Sequence, residues 1–309
     1  MKITFEHALK LLCEGEIVAL PTETVYGLAG RIDREDTIIK IFETKKRPLF
    51  DPLIIHVPNI ASAQKYTLDW NIISEKLART FWPGPLTLLL KKSNLISPLI
   101  TADSNFVGIR SPQHPLFLQI LNELNIPLAA PSANFFKKTS PTNADHVIEE
   151  FSGKISVLDG GQCIAGIEST IINTSNPNHL LIHRPGPIGL KEIQKIVGND
   201  IKISFTTSEH APGQLNEHYR PKIPLHIYIS SNVNHFLNQE FANKNVNTHF
   251  INLNSNPILA ARELYAELRK ENSVWIKKLI CFSKEQWNSE NWTAIRNRIE
   301  KAASEIKKI

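Results

Sequence analysis

Three cations in a row, Lys45, Lys46 and Arg47, stand between an amphipathic run (Ile38, Ile39, Ile41, Phe42) and Pro48. Cations in a last helical turn complement the negative end of the helix dipole, and that is the bland account of them. Their surroundings point further. Upstream, the apolar run Ile17-Val18-Ala19-Leu20 stops at Pro21 and hands over to Thr22, Glu23 and Thr24; downstream, Asp51-Pro52 leads into Leu53-Ile54-Ile55, which delivers His56. The theme of an apolar run ending in polar groups recurs. Val107-Gly108-Ile109 ends on Arg110, Leu128-Ala129-Ala130 breaks at Pro131 into Ser132-Ala133-Asn134, Ser169 and Thr170 precede Ile171-Ile172, and Leu180-Leu181-Ile182 runs into His183-Arg184-Pro185-Gly186. Lys45, Arg47, Arg110 and Arg184, with Thr24, Ser132, Asn134, Ser140, Ser169 and Thr170 as neutral donors, suit a ligand that carries phosphates and a carboxylate. Arginine grips both in bidentate fashion, and lysine neutralises as a point charge. Taken singly, an arginine at a strand end is more often a surface ion pair. His56 is as readily a hydrogen-bonded structural histidine as a substrate contact. Ser132 has no His or Asp at an activating spacing, which argues against a nucleophile.

These groups need elements to hold them. Strand-like and helix-like runs alternate along the chain, the pattern of an α/β or α+β protein. Helical spacing covers Phe5 to Cys13, Ile72 to Phe81 and Leu116 to Leu124, and strands are expected before Pro21, at Leu86 to Leu90 and at Val107 to Ile109. Between Ser204 and Pro224 regular patterning gives way to Thr, Ser, Pro and Gly, which marks a linker; its His218, Tyr219 and Arg220 suggest that it packs on something. The expected division is therefore a larger domain over 1–205, a linker over 206–224 and a small α/β domain over 225–309, with helices near Val233 to Phe241 and Ile258 to Lys270.

Composition narrows the class. Of 309 residues 42% are apolar and 21% charged, ordinary for a soluble globular protein. Nothing approaches the roughly 18 uninterrupted apolar residues of a membrane span, and Glu6, His7, Lys10 and Glu14 interrupt the N-terminus, so a cytoplasmic, non-membrane protein is expected. Cys13, Cys163 and Cys281 are widely spaced and indicate neither a disulfide framework nor a zinc site. The formal charge of +5 resides mostly after Leu225, scattered as on a solvated surface, although a basic part can also meet a polyanion such as RNA. The phosphate-binding and dinucleotide glycine signatures are absent, as are the zinc-protease and nucleophile-elbow motifs.

In order, P-T-E-T-V-Y-G-L, K-x-R-P, P-L-I-I-H, P-G-P-L-T, V-G-I-R, A-P-S-A-N, S-P-T, D-G-G-x-C-x-x-G-I-E-S-T-I and R-P-G resemble the YrdC family. The linker P-G-x-x-x-x-H-Y-x-P and the tail A-I-x-N-R-I resemble its longer two-domain branch, the threonylcarbamoyl-AMP synthases. The resemblance implies a twisted, mixed, open sheet with a concave basic cavity, then the linker as a lid, then a small Rossmann-like domain. It implies that L-threonine, bicarbonate and ATP, with Mg2+, give threonylcarbamoyl-AMP and pyrophosphate, the product feeding threonylcarbamoyladenosine formation beside the anticodon of tRNA. Thr24, His56, Arg110, Ala130, Ser169 and Thr170 match threonine-side positions. Lys45, Arg47, Asp51, Phe106, Ser132, Asn134, Ser140, Arg184 and Tyr219 match nucleotide-side ones, with Lys45 and Arg47 as the catalytic pair, and no metal ligand is implied. Asp51 stands where the family pattern has Asn, a repulsive group near phosphates unless Mg2+, Lys45 or Lys46 intervenes. Phe106 stands where Thr is usual. An RNA-binding protein using a basic concave surface and a carbamoyl transfer enzyme on the same fold are the competing readings.

Overall fold

The computed structural model describes residues 1–206, 217–233, 247–271 and 273–308. They fall into two units, one holding Met1–Phe136 and the chain from Ser140 to residue 206, the other holding Lys137–Thr139 and the chain from residue 217. The helix expected near Val233 to Phe241 lies almost wholly outside the described residues, and so does the middle of the expected lid, 207–216.

The first unit is built on one mixed sheet. Its strands are β1 (Lys2–Ile3), β2 (Val18–Leu20), β3 (Gly27–Arg31), β4 (Ile54–His56), β5 (Leu86–Lys91), β6 (Phe106–Arg110), β7 (Leu128–Ala129), β8 (Val157–Leu158), β9 (Thr170–Asn173), β10 (His179–Arg184) and β11 (Lys202–Phe205). They lie in the order β1-β8-β2-β3-β7-β4-β6-β5-β9-β10-β11, so the sheet is open, as expected. β4 runs parallel to β6 and β5 to β9, while β5 and β6 are antiparallel. Alternate residues of a strand face opposite ways. One face therefore collects Ile55, Leu86, Leu88, Leu90, Val107, Ile109 and Ile172, packed under Ile38, Ile41 and Phe42 of the helix Glu35–Lys45 and Ile73, Leu77 and Ala78 of the helix Ile72–Phe81. A second cluster joins the helices Phe5–Cys13 and Pro115–Leu124 to Val18, Leu20, Ala29, Leu128 and Ala130.

Several short elements were not expected from the sequence, and three of them are instructive. β3 reads G-L-A-G-R, and its glycines hide a strand; Gly30 is there because a Cβ would come within 2.5 Å of Thr37 Cγ2. β11 lies at the sheet edge within a stretch of weak patterning. The helix Leu190–Val197 sets Leu190, Ile193, Ile196 and Val197 on one face, an amphipathic signal present in the sequence two residues past R-P-G-P.

The second unit is a parallel sheet of β12 (Leu225–Ser230), β13 (Thr248–Phe250), β14 (Lys277–Ser283) and β15 (Glu305–Lys308), ordered β13-β14-β12-β15. Helices Pro257–Arg269 and Thr293–Ala302 accompany it. β13 begins earlier than the expected Phe250-Ile251-Leu253, and β15 is a charged strand that apolar periodicity does not signal.

Gly186 marks where two site-bearing segments cross. A Cβ there would lie 2.4 Å from the Thr170 amide nitrogen and 2.6 Å from the Ser169 carbonyl carbon, both backbone atoms that cannot swing aside. Gly186→Ala is expected to destabilise the protein by about 1–3 kcal/mol, read as a lowered urea midpoint at unchanged slope. An unchanged midpoint would refute the close approach.

Candidate active site

The face of the sheet opposite the main core is only sparsely apolar. On it stand Ile54 and His56 of β4, Phe106, Gly108 and Arg110 of β6, and Thr87 and Leu89 of β5, each one register away from a core residue. Its apolar part is a small patch of Ile54, Leu89 and Ile171, with Phe106 packed against it. Phe106, a nucleotide-side position by resemblance, is thus part of the wall. Gly108 keeps this face clear: a Cβ would meet Ile54 Cγ1 at 3.2 Å and Thr87 Cγ2 at 3.3 Å.

Arg184 reaches the same face by an irregularity. Leu180 and Ile182 of β10 lie in the main core, so strict alternation would send Arg184 there too. The pairing with β9 shifts between Ile182 and Arg184, opposite Ile172 and Ile171. One extra residue re-aims the side chain. Arg184 donates from Nε to the Ser169 carbonyl at 3.0 Å and from Nη2 to Ser169 Oγ at 3.1 Å, and Ser169 Oγ is 2.7 Å from Thr87 Oγ1. Thr170 instead turns inward, exchanging bonds with the Ile188 carbonyl (2.8 Å) and amide (3.1 Å), so its hydroxyl ties β9 to the R-P-G turn.

The expected amino-acid side centres on Arg110. Its Nη1 donates to Thr24 Oγ1 at 3.0 Å, its Nε to the Gly84 carbonyl at 3.2 Å, and its Nη2 lies 2.6 Å from Glu23 Oε1. Thr24 is presented by a turn around Thr22, whose Oγ1 accepts from the amides of Thr24 and Val25. His56 is the register partner of Arg110 on the neighbouring strand and packs its ring 5.2 Å from that of Phe117. Its Nδ1 has no hydrogen-bond partner among the described residues, leaving a buried polar atom for a ligand to satisfy. Ala130 follows β7 directly, its amide donating to the Ile54 carbonyl at 3.2 Å, and its methyl is what a Cβ on Gly27 would meet at 3.1 Å.

The basic triplet resolves into three different fates. The helix Glu35–Lys45 ends with Lys46 in the left-handed region (φ 51°), so the chain reverses and the Arg47 amide bonds back to the Phe42 carbonyl. Lys46 stays outside, its Nζ 5.4 Å from the Phe135 ring centre. Lys45 turns inward and is 1% exposed, donating from Nζ to the carbonyls of Ser132 and Asn134, both at 2.5 Å. Burial, and after it the Arg47 charge, pushes its pKa well below the ordinary lysine value. Arg47 donates to the carbonyls of Asp51 (3.0 Å) and Pro52 (2.7 Å) and pairs with Asp51 Oδ2 at 3.1 Å. The expected repulsion at Asp51 is met by Arg47, a partner not named in the sequence expectation. Ser132 bridges to Gly27, and the Asn134 side-chain amide donates to the Phe135 carbonyl at 2.7 Å. Ser140 Oγ donates to Glu168 Oε1 at 2.6 Å.

Fourteen of the fifteen expected site residues belong to the first unit. Tyr219 belongs to the second. It is buried there at φ 63°, stacked 5.7 Å from Tyr265 with Arg298 5.4 Å from its ring, and its carbonyl accepts from Thr139 Oγ1 at 3.0 Å. Glu23, Thr87 and Glu168 had no role assigned from the sequence, although Glu23 was named in the polar cluster after Leu20 and all three lie inside quoted motifs. Among the described residues no group of three His, Cys, Asp or Glu side chains could hold a metal ion, and the one carboxylate beside Arg47 is already paired. The residues present do not make a protein-held metal site.

Burial, and then the Arg110 charge, pushes the His56 pKa down to about 3. Between that value and its unfolded value near 6.5 the unfolded chain binds the extra proton and the folded one does not. Stability therefore rises with pH across this window, at up to about 1.4 kcal/mol per pH unit, and is indifferent to this group below it, where both states carry the proton. His56→Gln is expected to flatten the denaturation free energy between pH 6.5 and 4. An unchanged slope would place the imidazole in contact with water.

The family model for Sua5, YciO and YrdC proteins, described as telomere recombination, matches residues 10–186. A second, described as the C-terminal domain of threonylcarbamoyl-AMP synthase, matches residues 188–304. The Pyrococcus abyssi threonylcarbamoyl-AMP synthase is 42% identical over 216 residues, 67% of this chain and 63% of that protein; the Bacillus subtilis protein of the same name is 40% identical over 228 residues, 72% of this chain and 65% of that protein. These alignments span less than two thirds of either relative. The fold likeness reaches further: the crystal structure of P. abyssi Sua5 complexed with L-threonine has a TM-score of 0.89 at 30% identity, covering 100% of this chain and 99% of that one. Two sequence families matched in tandem along a chain whose fold follows a solved relative end to end leave one assignment, and the chain belongs to the Sua5/YciO/YrdC family, with the C-terminal domain of its threonylcarbamoyl-AMP synthase branch.

Proposed function

We propose that this protein makes L-threonylcarbamoyl-AMP from L-threonine, bicarbonate and ATP, releasing pyrophosphate, and so supplies threonylcarbamoyladenosine formation in tRNA. The observation that carries the reading is the burial of Lys45, Arg47, Arg110 and Arg184, each 9% exposed or less, in the one unit. Cations that read an RNA backbone must stand out to meet it. Cations sunk in a fold, with hydroxyls between them, suit small anionic substrates. The names of the relatives and the threonine held by the P. abyssi protein agree with this choice.

The chemistry asks little of a protein nucleophile. The threonine amine attacks the carbon of bicarbonate, forming the C–N bond of a carbamate as water leaves with an amine proton, and a carbamate oxygen then attacks the α-phosphorus while the bond to the pyrophosphate oxygen breaks. Positioning and charge neutralisation are what such a displacement needs. Arg110 and Thr24 take the threonine carboxylate. Ser169 and Arg184, joined to each other, serve the place where the two substrates meet, and Lys45 and Arg47 receive the charge that grows on pyrophosphate. Magnesium bound with ATP would share the neutralisation of phosphate charge with Lys45 and Arg47. A threonine methyl against the Ile54, Leu89 and Ile171 patch adds about 1 kcal/mol of preference over serine.

Pyrophosphate release by the purified protein is expected to require threonine and bicarbonate together; release indifferent to both would end the synthase reading. Lys45→Ala is expected to lower turnover at least 100-fold with the melting temperature retained within a few degrees, because the position neutralises leaving-group charge. Full activity in that variant would misplace the phosphate site. Asp51→Asn removes the Arg47 counter-charge: the free protein should melt lower than the wild type, while ATP, by supplying a new counter-charge, should stabilise the variant more than the wild type. Equal ATP-induced shifts in the two proteins would take Arg47 away from the phosphates.

A further inference from the structure

Glu23 belongs to none of the roles above, yet it is the residue on which Arg110 rests. It is 4% exposed. Its Oε1 lies 2.6 Å from Arg110 Nη2, its Oε2 accepts from the Gln113 amide at 3.0 Å, and its carbonyl accepts from the Ala165 amide at 2.8 Å. Three segments thus meet at one residue: the turn carrying Thr24, the end of β6 through the Glu23 side chain, and the loop leading to Ser169 through the Glu23 backbone carbonyl. A guanidinium has five N–H groups. Among the described residues Nε is bonded to the Gly84 carbonyl and Nη1 to Thr24, while Nη2 is held by charge against Glu23 Oε1 without a hydrogen bond, which fixes the plane of the group and leaves its other donors for a ligand.

We propose that Glu23 is a positioning residue that holds the Arg110 guanidinium ready for the amino-acid carboxylate, and so sets affinity for threonine independently of the nucleotide. The inference rests on the functional reading given above. Two physical arguments support it. A buried arginine without its counter-charge seeks other acceptors and loses a single orientation, while one held on three sides presents its remaining donors in a fixed plane. The pair is also neutral as a unit, and a neutral ion pair is matched in charge to a zwitterionic amino acid, whereas a lone cation would favour any anion, pyrophosphate included.

The test is calorimetric titration of the full chain with L-threonine and, separately, with a non-hydrolysable ATP analogue, in wild type, Glu23→Gln and Glu23→Asp. Glu23→Gln keeps the shape and an oxygen for the Gln113 amide but removes the charge that holds Arg110. It is expected to weaken threonine about 10- to 100-fold, the range of a hydrogen bond to a charged group, with the ATP analogue within twofold of wild type. Glu23→Asp, which keeps the charge, should recover part of the loss. Threonine binding within twofold of wild type in Glu23→Gln overturns the assignment, and so does an equal loss for both ligands, which would mark a purely structural residue. Should Glu23→Gln fail to fold, Glu23→Asp carries the test, with a threefold or greater selective loss of threonine supporting the role and unchanged binding overturning it. Wild-type protein that binds the ATP analogue but no threonine overturns the functional reading itself, and the assignment with it.

Discussion

A charge removed from water must be given a partner inside the protein, and that requirement shapes the larger unit. Four cations are sunk beside one sheet, and the fold answers each locally. Arg110 has Glu23, Arg47 has Asp51 and two carbonyls, Lys45 has two carbonyls, and Arg184 has the Ser169 hydroxyl and carbonyl. The result is a site in which two of the four charges face carboxylates and the other two rest on neutral oxygens before any substrate arrives. Such a site discriminates by geometry more than by attraction. A polyanion gains little from it, whereas a small molecule that can replace or extend those internal bonds gains much.

The main features of the sheet could be read from the sequence because each strand end is punctuated. Proline after Leu20, the R-S-P after β6 and P-S-A-N after β7 stop apolar runs at the places where the chemistry sits, and the breaks survive in the fold. The basic triplet was legible as a group but not residue by residue. Which cation turns inward depends on the left-handed residue at Lys46, and no periodicity encodes that. The roles of Glu23 and Glu168 were not legible for a different reason: a buried carboxylate is identified by the partner it meets, and those partners are 87 and 28 residues away along the chain. Charged edge strands such as β15 lack the apolar alternation that would announce them.

The second unit shows the same economy with a different emphasis. Its parallel sheet buries a lysine, Lys278, whose Nζ donates to the Leu268 carbonyl at 2.5 Å and the Glu267 carbonyl at 3.2 Å, with burial pulling its pKa down to about 8. The lysine closes the C-terminal end of the helix Pro257–Arg269, where carbonyls would otherwise lack donors. Tyr219 enters this unit in a backbone conformation that a bulky residue adopts only under constraint, with Tyr265 and Arg298 supplying the constraint.

The extra residue in β10 couples strand length to chemistry. Because Arg184 faces the sparsely apolar side only through the slip between Ile182 and Arg184, the residue count of that strand is not free to drift as surface loops do. A one-residue deletion there would leave every amino acid of the motif in place and yet bury the guanidinium among leucines. In this family, then, a descendant could keep the signature R-P-G intact in its sequence and still have lost what the arginine is for.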